Sequence, residues 1–270
     1  MGLRGRSTLS GGRGARVGGF EIGMRVSGTI AVWFSCGAAS AIAVQETLRQ
    51  YPDATVRVVN SPVLEEDPDN RRFADDVAEW LGVKIETACN PKYPGHSAVD
   101  VWEQRQFMSS PYGAPCTLEL KKEARRQWEA ANPVDWHVLG FTYEESARFE
   151  RFKVTERDNV LPVLIDARLT KPDCFARLVE AGIKLPAVYA MGYPNANCIG
   201  CVKATSPTYW NHVRKHHPGV FAARAQQSAR LGVRLARYRG DRVFLTDLPA
   251  EAQGDPLTNM QSECGLFCEE

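Results

Sequence analysis

Cys198-Ile199-Gly200-Cys201 puts two thiols on one short knuckle. At this spacing a pair of thiolates can grip one metal or cluster while backbone N–H groups turn towards the sulfurs. Asn195, Asn197 and Lys203 flank the knuckle, and no second C-x-x-C accompanies it. A self-contained four-cysteine zinc ribbon is therefore not encoded, and further ligands must come from afar. Cys116, within Ala114-Pro115-Cys116-Thr117 and followed by Lys121 and Lys122, is the best placed candidate. The chain has eight cysteines, the others being Cys36, Cys89, Cys174, Cys264 and Cys268. Without an export signal, such clustering points to metal or redox chemistry rather than to disulfides. Cys89 and Cys174 stand alone and read as small core residues. A zinc site that only staples the second half of the chain and a redox pair at Cys198 and Cys201 are alternatives the spacing leaves open.

A second pattern lies near the front. Val32-Trp33-Phe34 ends an apolar run, Ser35-Cys36-Gly37 forms a small-residue turn, and Ala38-Ala39-Ser40 opens a helical stretch. Such a junction directs successive backbone N–H groups and the positive end of a helix dipole at one point, making an anion site. An ordinary βα turn is the competing reading of the segment taken alone. Its position adds weight, because ligands of open α/β sheets gather beyond strand C-terminal ends. Ser10-Gly11-Gly12-Arg13-Gly14 is also glycine-rich but follows no strand and precedes no helix. Further on, Arg230, Arg234 and Arg237 are spaced to share one face of a helix. They read as a solvated face, as forks for a nucleotide phosphate, or as a contact for a nucleic-acid backbone.

The elements that must position these residues follow from periodicity. Apolar, β-branched runs at 29–34, 55–59, 83–88 and 136–141 alternate with amphipathic stretches at 38–49, 70–81 and 118–131. That alternation predicts a twisted, mostly parallel sheet flanked by helices. Beyond Leu161 the prolines at 162, 172, 186 and 194 predict irregular structure, with a basic helix at 226–237. The expected organisation is a disordered Gly- and Arg-rich leader at 1–24, a nucleotide-binding α/β domain at 25–158, and a cysteine-bearing segment with a mobile tail at 159–270. With 44% hydrophobic residues the chain can bury a sizeable core. It contains no apolar run near the ~20 residues that cross a bilayer. A cytoplasmic protein without a membrane partner is expected. A net charge of +1 argues against a generic nucleic-acid coat and leaves room for a local basic patch.

Several segments carry a family resemblance. Phe34–Ser40 resembles the PP-loop of ATP pyrophosphatases and phosphoadenosine phosphosulfate (PAPS) reductases, keeping Ser35, Gly37 and Ser40. Val59-Asn60-Ser61 through Glu65-Glu66-Asp67-Pro68 is similar to the family's second-strand loop, which helps hold adenosine. Gly140-Phe141-Thr142-Tyr143-Glu144-Glu145-Ser146-Ala147-Arg148 resembles its Gly-x-Arg-x-x-Glu-Ser-x-x-Arg stretch, with Thr142 in place of the first arginine. Leu161-Pro162-Val163-Leu164, Leu185-Pro186-Ala187-Val188-Tyr189 and Gly192-Tyr193 match a further passage in order. Cys116 and Cys198, 82 positions apart, resemble the cysteine spacing of cluster-bearing sulfonucleotide reductases, though Thr117 stands where a second paired cysteine would be. Glu263-Cys264-Gly265-Leu266 resembles the Glu-Cys-Gly-Leu tail of PAPS reductases, with Phe267-Cys268 replacing the histidine.

The resemblance implies an adenine nucleotide alpha hydrolase-like fold. It implies a nucleotide pocket built by Ser35, Cys36, Gly37, Ala38, Ala39, Ser40, Asn60 and Gly140. It implies a [4Fe-4S] cluster, or zinc, on Cys116, Cys198 and Cys201, with Cys268 or Cys264 as fourth ligand or with one iron left open. The leading expectation is a thiol-dependent sulfonucleotide reductase. There Cys264 attacks the sulfur of PAPS or adenylyl sulfate, thioredoxin or glutaredoxin releases sulfite, and Lys121 and Arg148 assist. The alternative is an ATP-dependent sulfurtransferase modifying tRNA or DNA. A nucleotide-binding, metal-stapled interaction module is a third reading, and a homodimer is the expected assembly. Ala38-Ala39 in place of a charged pair leans towards the reductases.

Overall fold

The computed structural model describes residues 28–110 and 113–259. At its centre is β1 (Thr29–Trp33), whose residues Ile30 to Val32 are fully buried because both faces of the strand are covered. A turn leads into α1 (Ala38–Gln50), then β2 (Thr55–Asn60), α2 (Asp69–Leu81) and β3 (Ile85–Thr87). After α3 (Ala98–Arg105), a π-helical stretch at Thr117–Glu123 continues into α4 (Ala124–Ala131). The chain then returns through β4 (Trp136–Val138), α5 (Ser146–Thr155) and β5 (Val160–Leu161). All five strands pair in parallel in the order β3-β2-β1-β4-β5. The order reverses between β1 and β4, and at such a switch point the loops beyond the strand ends diverge and leave a crevice.

Alternate residues of β1 serve different layers. Ile30 and Val32 pack with Phe34, Phe73, Val77, Leu164 and Leu178, while Ala31 and Trp33 pack with Trp128, Phe141, Phe149 and Phe152. A further core gathers Trp102, Met108, Tyr193, Tyr209, Trp210 and Leu245. It joins α3 to α9 (Pro207–His216) and α10 (Pro218–Arg230).

The second half is more regular than its prolines suggest. It contains α6 (Val163–Asp166), α7 (Lys171–Glu180), α8 (Ala187–Ala190), α9 and α10. Pro162 and Pro186 stand at the N-caps of α6 and α8, and Pro172, Pro207 and Pro218 lie in first turns, where the missing N–H costs nothing. The expected helix at 226–237 is corrected. α10 stops at Arg230, Gly232 takes φ +69°, and the chain forms the antiparallel hairpin β6 (Ala236–Tyr238) and β7 (Asp241–Val243). Arg230, Arg234 and Arg237 therefore do not share a helical face.

The packing does not divide at Asp158. Strand β5 and helices α6 and α7 complete the sheet layer, while α3 packs with the last third of the chain. Cys174 is buried as expected, whereas Cys89 is exposed beyond β3. No helix among the described residues is long and apolar enough to cross a membrane. The leader at 1–24, Cys264 and Cys268 lie outside the described residues.

Candidate nucleotide cleft and cysteine site

A cavity of about 310 Å³ opens at the switch point between β1 and β4. Ser35, Gly37, Ala39 and Ser40 of the turn into α1 line one side, and Gly140 and Phe141 beyond β4 line another. Ser40 ties the turn together: its Oγ accepts from the Ser35 N–H at 3.1 Å and donates to the Gly37 carbonyl at 2.9 Å. The N-terminal end of a helix has N–H groups without intrahelical acceptors and suits an anion, and Gly37, Ala39 and Ser40 at that end of α1 line the cavity. Gly140 comes close enough that a Cβ there would meet the Ser40 nitrogen at 2.9 Å.

Cys36 and Asn60 do not line the cavity; they brace the turn from behind. Cys36 takes φ +57°, a conformation better suited to glycine. The Asn60 amide donates to the Phe34 carbonyl at 2.7 Å and to the Cys36 sulfur at 3.7 Å. Burial, reinforced by Glu66, pushes the Cys36 thiol up to about 12, so it stays protonated at neutral pH. Ala38 is fully buried, and its N–H donates to the Tyr189 hydroxyl at 3.2 Å.

Three cations stand on the cavity wall, Lys121, Arg148 and Lys171, together with Glu144 and Glu145. Arg148 pairs with Glu145 at 2.7 Å and lies over the Phe141 ring. Glu145 also accepts from the Thr142 N–H and hydroxyl, fixing the loop that carries both residues. Lys171 donates to the Pro194 carbonyl and the Asn195 side chain, each at 2.6 Å, and burial lowers its pKa. The sequence reading missed Lys171 and Tyr189. Tyr189 stood inside a quoted family passage, but nothing local marked Lys171, which arrives as the first residue of α7. Trp33 also lines the cavity, its indole N–H donating to His137 Nδ1 at 3.1 Å.

Cys116, Cys198 and Cys201 line one small cavity of about 10 Å³, together with Val63, Ala98, Trp102, Lys121 and Val202. Cys116 caps the π-helical stretch, a helix variant frequent at functional sites. The knuckle is pinned from several sides. The Cys201 N–H donates to the Tyr209 hydroxyl at 2.7 Å, the Ile199 N–H donates to the Glu65 carbonyl at 2.9 Å, and Gly200 takes φ +70°. Glu65 therefore serves the knuckle rather than the nucleotide cavity. Among the described residues no three His, Cys, Asp or Glu side chains form a ready ligand set for a metal ion. The donor chemistry nevertheless suits a thiophilic group, with three sulfurs on a wall that is apolar apart from Lys121. Lys121 belongs to both cavities. Its side chain is buried, donating to the Ser61 carbonyl at 2.5 Å and to Glu66 at 3.0 Å.

No family model matches the chain, and none of the curated proteins does. Among solved structures, it is similar to the U34-tRNA thiolase NcsA from Methanococcus maripaludis with its [4Fe-4S] cluster. The identity is 11%, over 76% of this chain and 72% of that one, with a TM-score of 0.44.

Proposed function

We propose that the chain is an ATP-dependent sulfurtransferase that replaces an oxygen of a nucleic-acid substrate with sulfur. The observation that carries this reading is the shared wall: Lys121 lines both the phosphate-loop cleft and the three-thiol cavity. A centre activated in the first would face a sulfur donor held in the second. Activation is attack by a substrate carbonyl oxygen on the α-phosphorus of ATP; an O–P bond forms and pyrophosphate leaves. Hydrosulfide then adds at the activated carbon, and the C–O bond breaks as AMP departs. Ala38 and Ala39 bring no charge to the loop, so Lys121, Lys171 and Arg148 compensate the phosphates, while the first α1 N–H groups hold them. Cys116, Cys198 and Cys201 would hold a [4Fe-4S] cluster, with zinc as the alternative, and the cluster would supply a binding site for the sulfur donor.

The arginine hairpin supports a nucleic-acid substrate. Arg234, Arg237, Arg239 and Arg242 are exposed, and among the described residues none is ion-paired. Arg237 and Arg242 oppose each other across β6 and β7, a like-charge pairing that disfavours the hairpin unless an anion covers it. The Arg237 N–H donates to the Thr205 carbonyl at 2.8 Å, placing the hairpin against the segment that follows Cys201.

Glu263-Cys264-Gly265-Leu266 favours a second reading, the sulfonucleotide reductase. In it the Cys264 thiolate attacks the phosphosulfate sulfur and the nucleotide leaves; thioredoxin or glutaredoxin then takes the enzyme thiosulfonate to a disulfide and sulfite. One comparison separates the two. The sulfurtransferase releases pyrophosphate from ATP when nucleic acid and sulfide are present, and it forms no sulfite from PAPS or adenylyl sulfate. Sulfite release that needs thioredoxin and vanishes in Cys264→Ser would overturn it.

A further inference from the structure

Helix α1 starts at Ala38 behind Gly37, which brings no side chain to cap it, and its first turn holds no acidic residue. The cap comes from far along the chain. The Ala38 N–H donates to the Tyr189 hydroxyl at 3.2 Å. Tyr189 stands on α8, and its ring meets the Phe175 ring edge-on with 4.9 Å between centroids, which fixes where the hydroxyl sits. A Cβ on Gly37 would lie 3.4 Å from that oxygen, so the hydroxyl hangs close over the loop. Tyr189 lines the same cavity as Ser35, Gly37, Ala39 and Ser40.

Serine, threonine, aspartate and asparagine are the usual helix caps. A carboxylate at this point would satisfy Ala38 but repel a phosphate. A phenol hydroxyl does otherwise, because it accepts through its lone pairs and keeps one proton to donate. Among the described residues no group accepts that proton from Tyr189. The two carboxylates of the cavity are engaged elsewhere: Glu144 accepts from the Lys171 N–H, and Glu145 from Thr142 and Arg148. Burial raises the Tyr189 pKa above the ordinary tyrosine value, against the lowering effect of the Ala38 N–H, so the proton is present at neutral pH.

We propose that Tyr189 is a phosphate-binding residue of the cleft, its hydroxyl accepting the Ala38 N–H and donating its own proton to a phosphoryl oxygen of the bound nucleotide. This deepens the nucleotide half of the reading above and rests on it. A neutral donor adds no charge of its own, so it complements Lys121, Arg148 and Lys171 rather than replacing them. Its bond to an anionic oxygen belongs to the stronger, charge-assisted class. The helix end stays capped while the cleft is empty and still offers a proton when phosphate arrives.

The test uses full-length protein as wild type, as Tyr189→Phe, and with 3-fluorotyrosine placed at position 189. Each is titrated calorimetrically with ATP, pyrophosphate and adenosine, and melted without ligand. Tyr189→Phe should bind ATP and pyrophosphate about tenfold more weakly and adenosine as wild type does. Fluorine makes the phenol a better donor and a poorer acceptor. The fluorinated protein should therefore bind pyrophosphate at least as tightly as wild type while melting no higher without ligand. A hydroxyl that only caps α1 gives the opposite sign, with pyrophosphate affinity falling in the fluorinated protein, and that result overturns the proposal. So does unchanged pyrophosphate affinity in Tyr189→Phe, or tighter binding there, which would make the hydroxyl a competitor for the Ala38 N–H. Wild type that binds neither ATP nor pyrophosphate overturns the nucleotide-cleft reading itself, and no variant is needed to see it. Wild type that binds ATP but releases no pyrophosphate with nucleic acid and sulfide sinks the sulfurtransferase reading and leaves the role of Tyr189 to be decided by the titrations.

Discussion

Lys121 holds its ammonium between the Ser61 carbonyl, Glu66 and two cavities, with almost no exposure to water. A charge fixed that way needs no reorganisation when a phosphate arrives, the condition under which electrostatic stabilisation is strongest. Lys121→Met should lower the rate of pyrophosphate release by about 100-fold and also lower the melting temperature, because it removes the ion pair with Glu66; stopped-time assays run below the variant's melting transition, beside thermal melts, check it. His137 sets a pH response. Burial, with Arg157 and Arg125 adding, depresses it to about 3 from an ordinary value of 6.5. Its neutral Nδ1 accepts from Trp33 on the cavity wall. A depressed folded-state value means stability is fully present above about 6.5 and is lost as pH falls towards 3. Tryptophan fluorescence and melting temperature should decline together in that window, and His137→Gln should flatten the decline.

At the scale of elements, the nucleotide cleft depends on the loop after β4 lying against the first turn of α1. Gly140 makes that approach possible, since a Cβ would press on the backbone nitrogen of Ser40 rather than on a flexible side chain. Gly140→Ala should weaken ATP binding by about tenfold or more, corresponding to roughly 1.4 kcal/mol, and lower the melting temperature as the Ala39–Ser40 backbone is forced to shift; calorimetric titration beside thermal melts is the check. These elements were the legible part of the sequence. The period and small residues of 29–40 located β1, the turn and α1, because a buried parallel strand reads as a continuous apolar run. The prolines after Leu161 misled, since proline ends a helix or begins one and composition alone does not say which. Gly232 likewise decided between a longer helix and a hairpin by its positive φ. Cys116, Cys198 and Cys201 line one cavity, but Lys171 and Tyr189 reach the larger cleft through packing between distant elements. No local pattern announces such contacts.

Across the whole molecule, the sheet carries the cleft beyond β1 and β4, and the α3, α9 and α10 core carries the three-thiol cavity. The hairpin β6–β7 extends from the latter. Its arginines belong to the surface rather than to either cavity. Arg237→Glu with Arg239→Glu should weaken tRNA binding and flatten its salt dependence by about 1–2 units of log–log slope. ATP binding without RNA should be untouched, and fluorescence anisotropy across a salt series reads the difference in RNA binding. Joining a phosphate-loop cleft to a thiol site through one buried lysine is the central claim, and labelled sulfide tests it most directly. Anaerobic protein is given ATP, tRNA and radiolabelled sulfide, and both label in RNA and free pyrophosphate are counted. Wild type should show equimolar appearance of the two; Lys121→Met should lose both, and Cys198→Ser should lose the label. Pyrophosphate without label in RNA from the wild type, or sulfite from a sulfonucleotide in place of both, would contradict it.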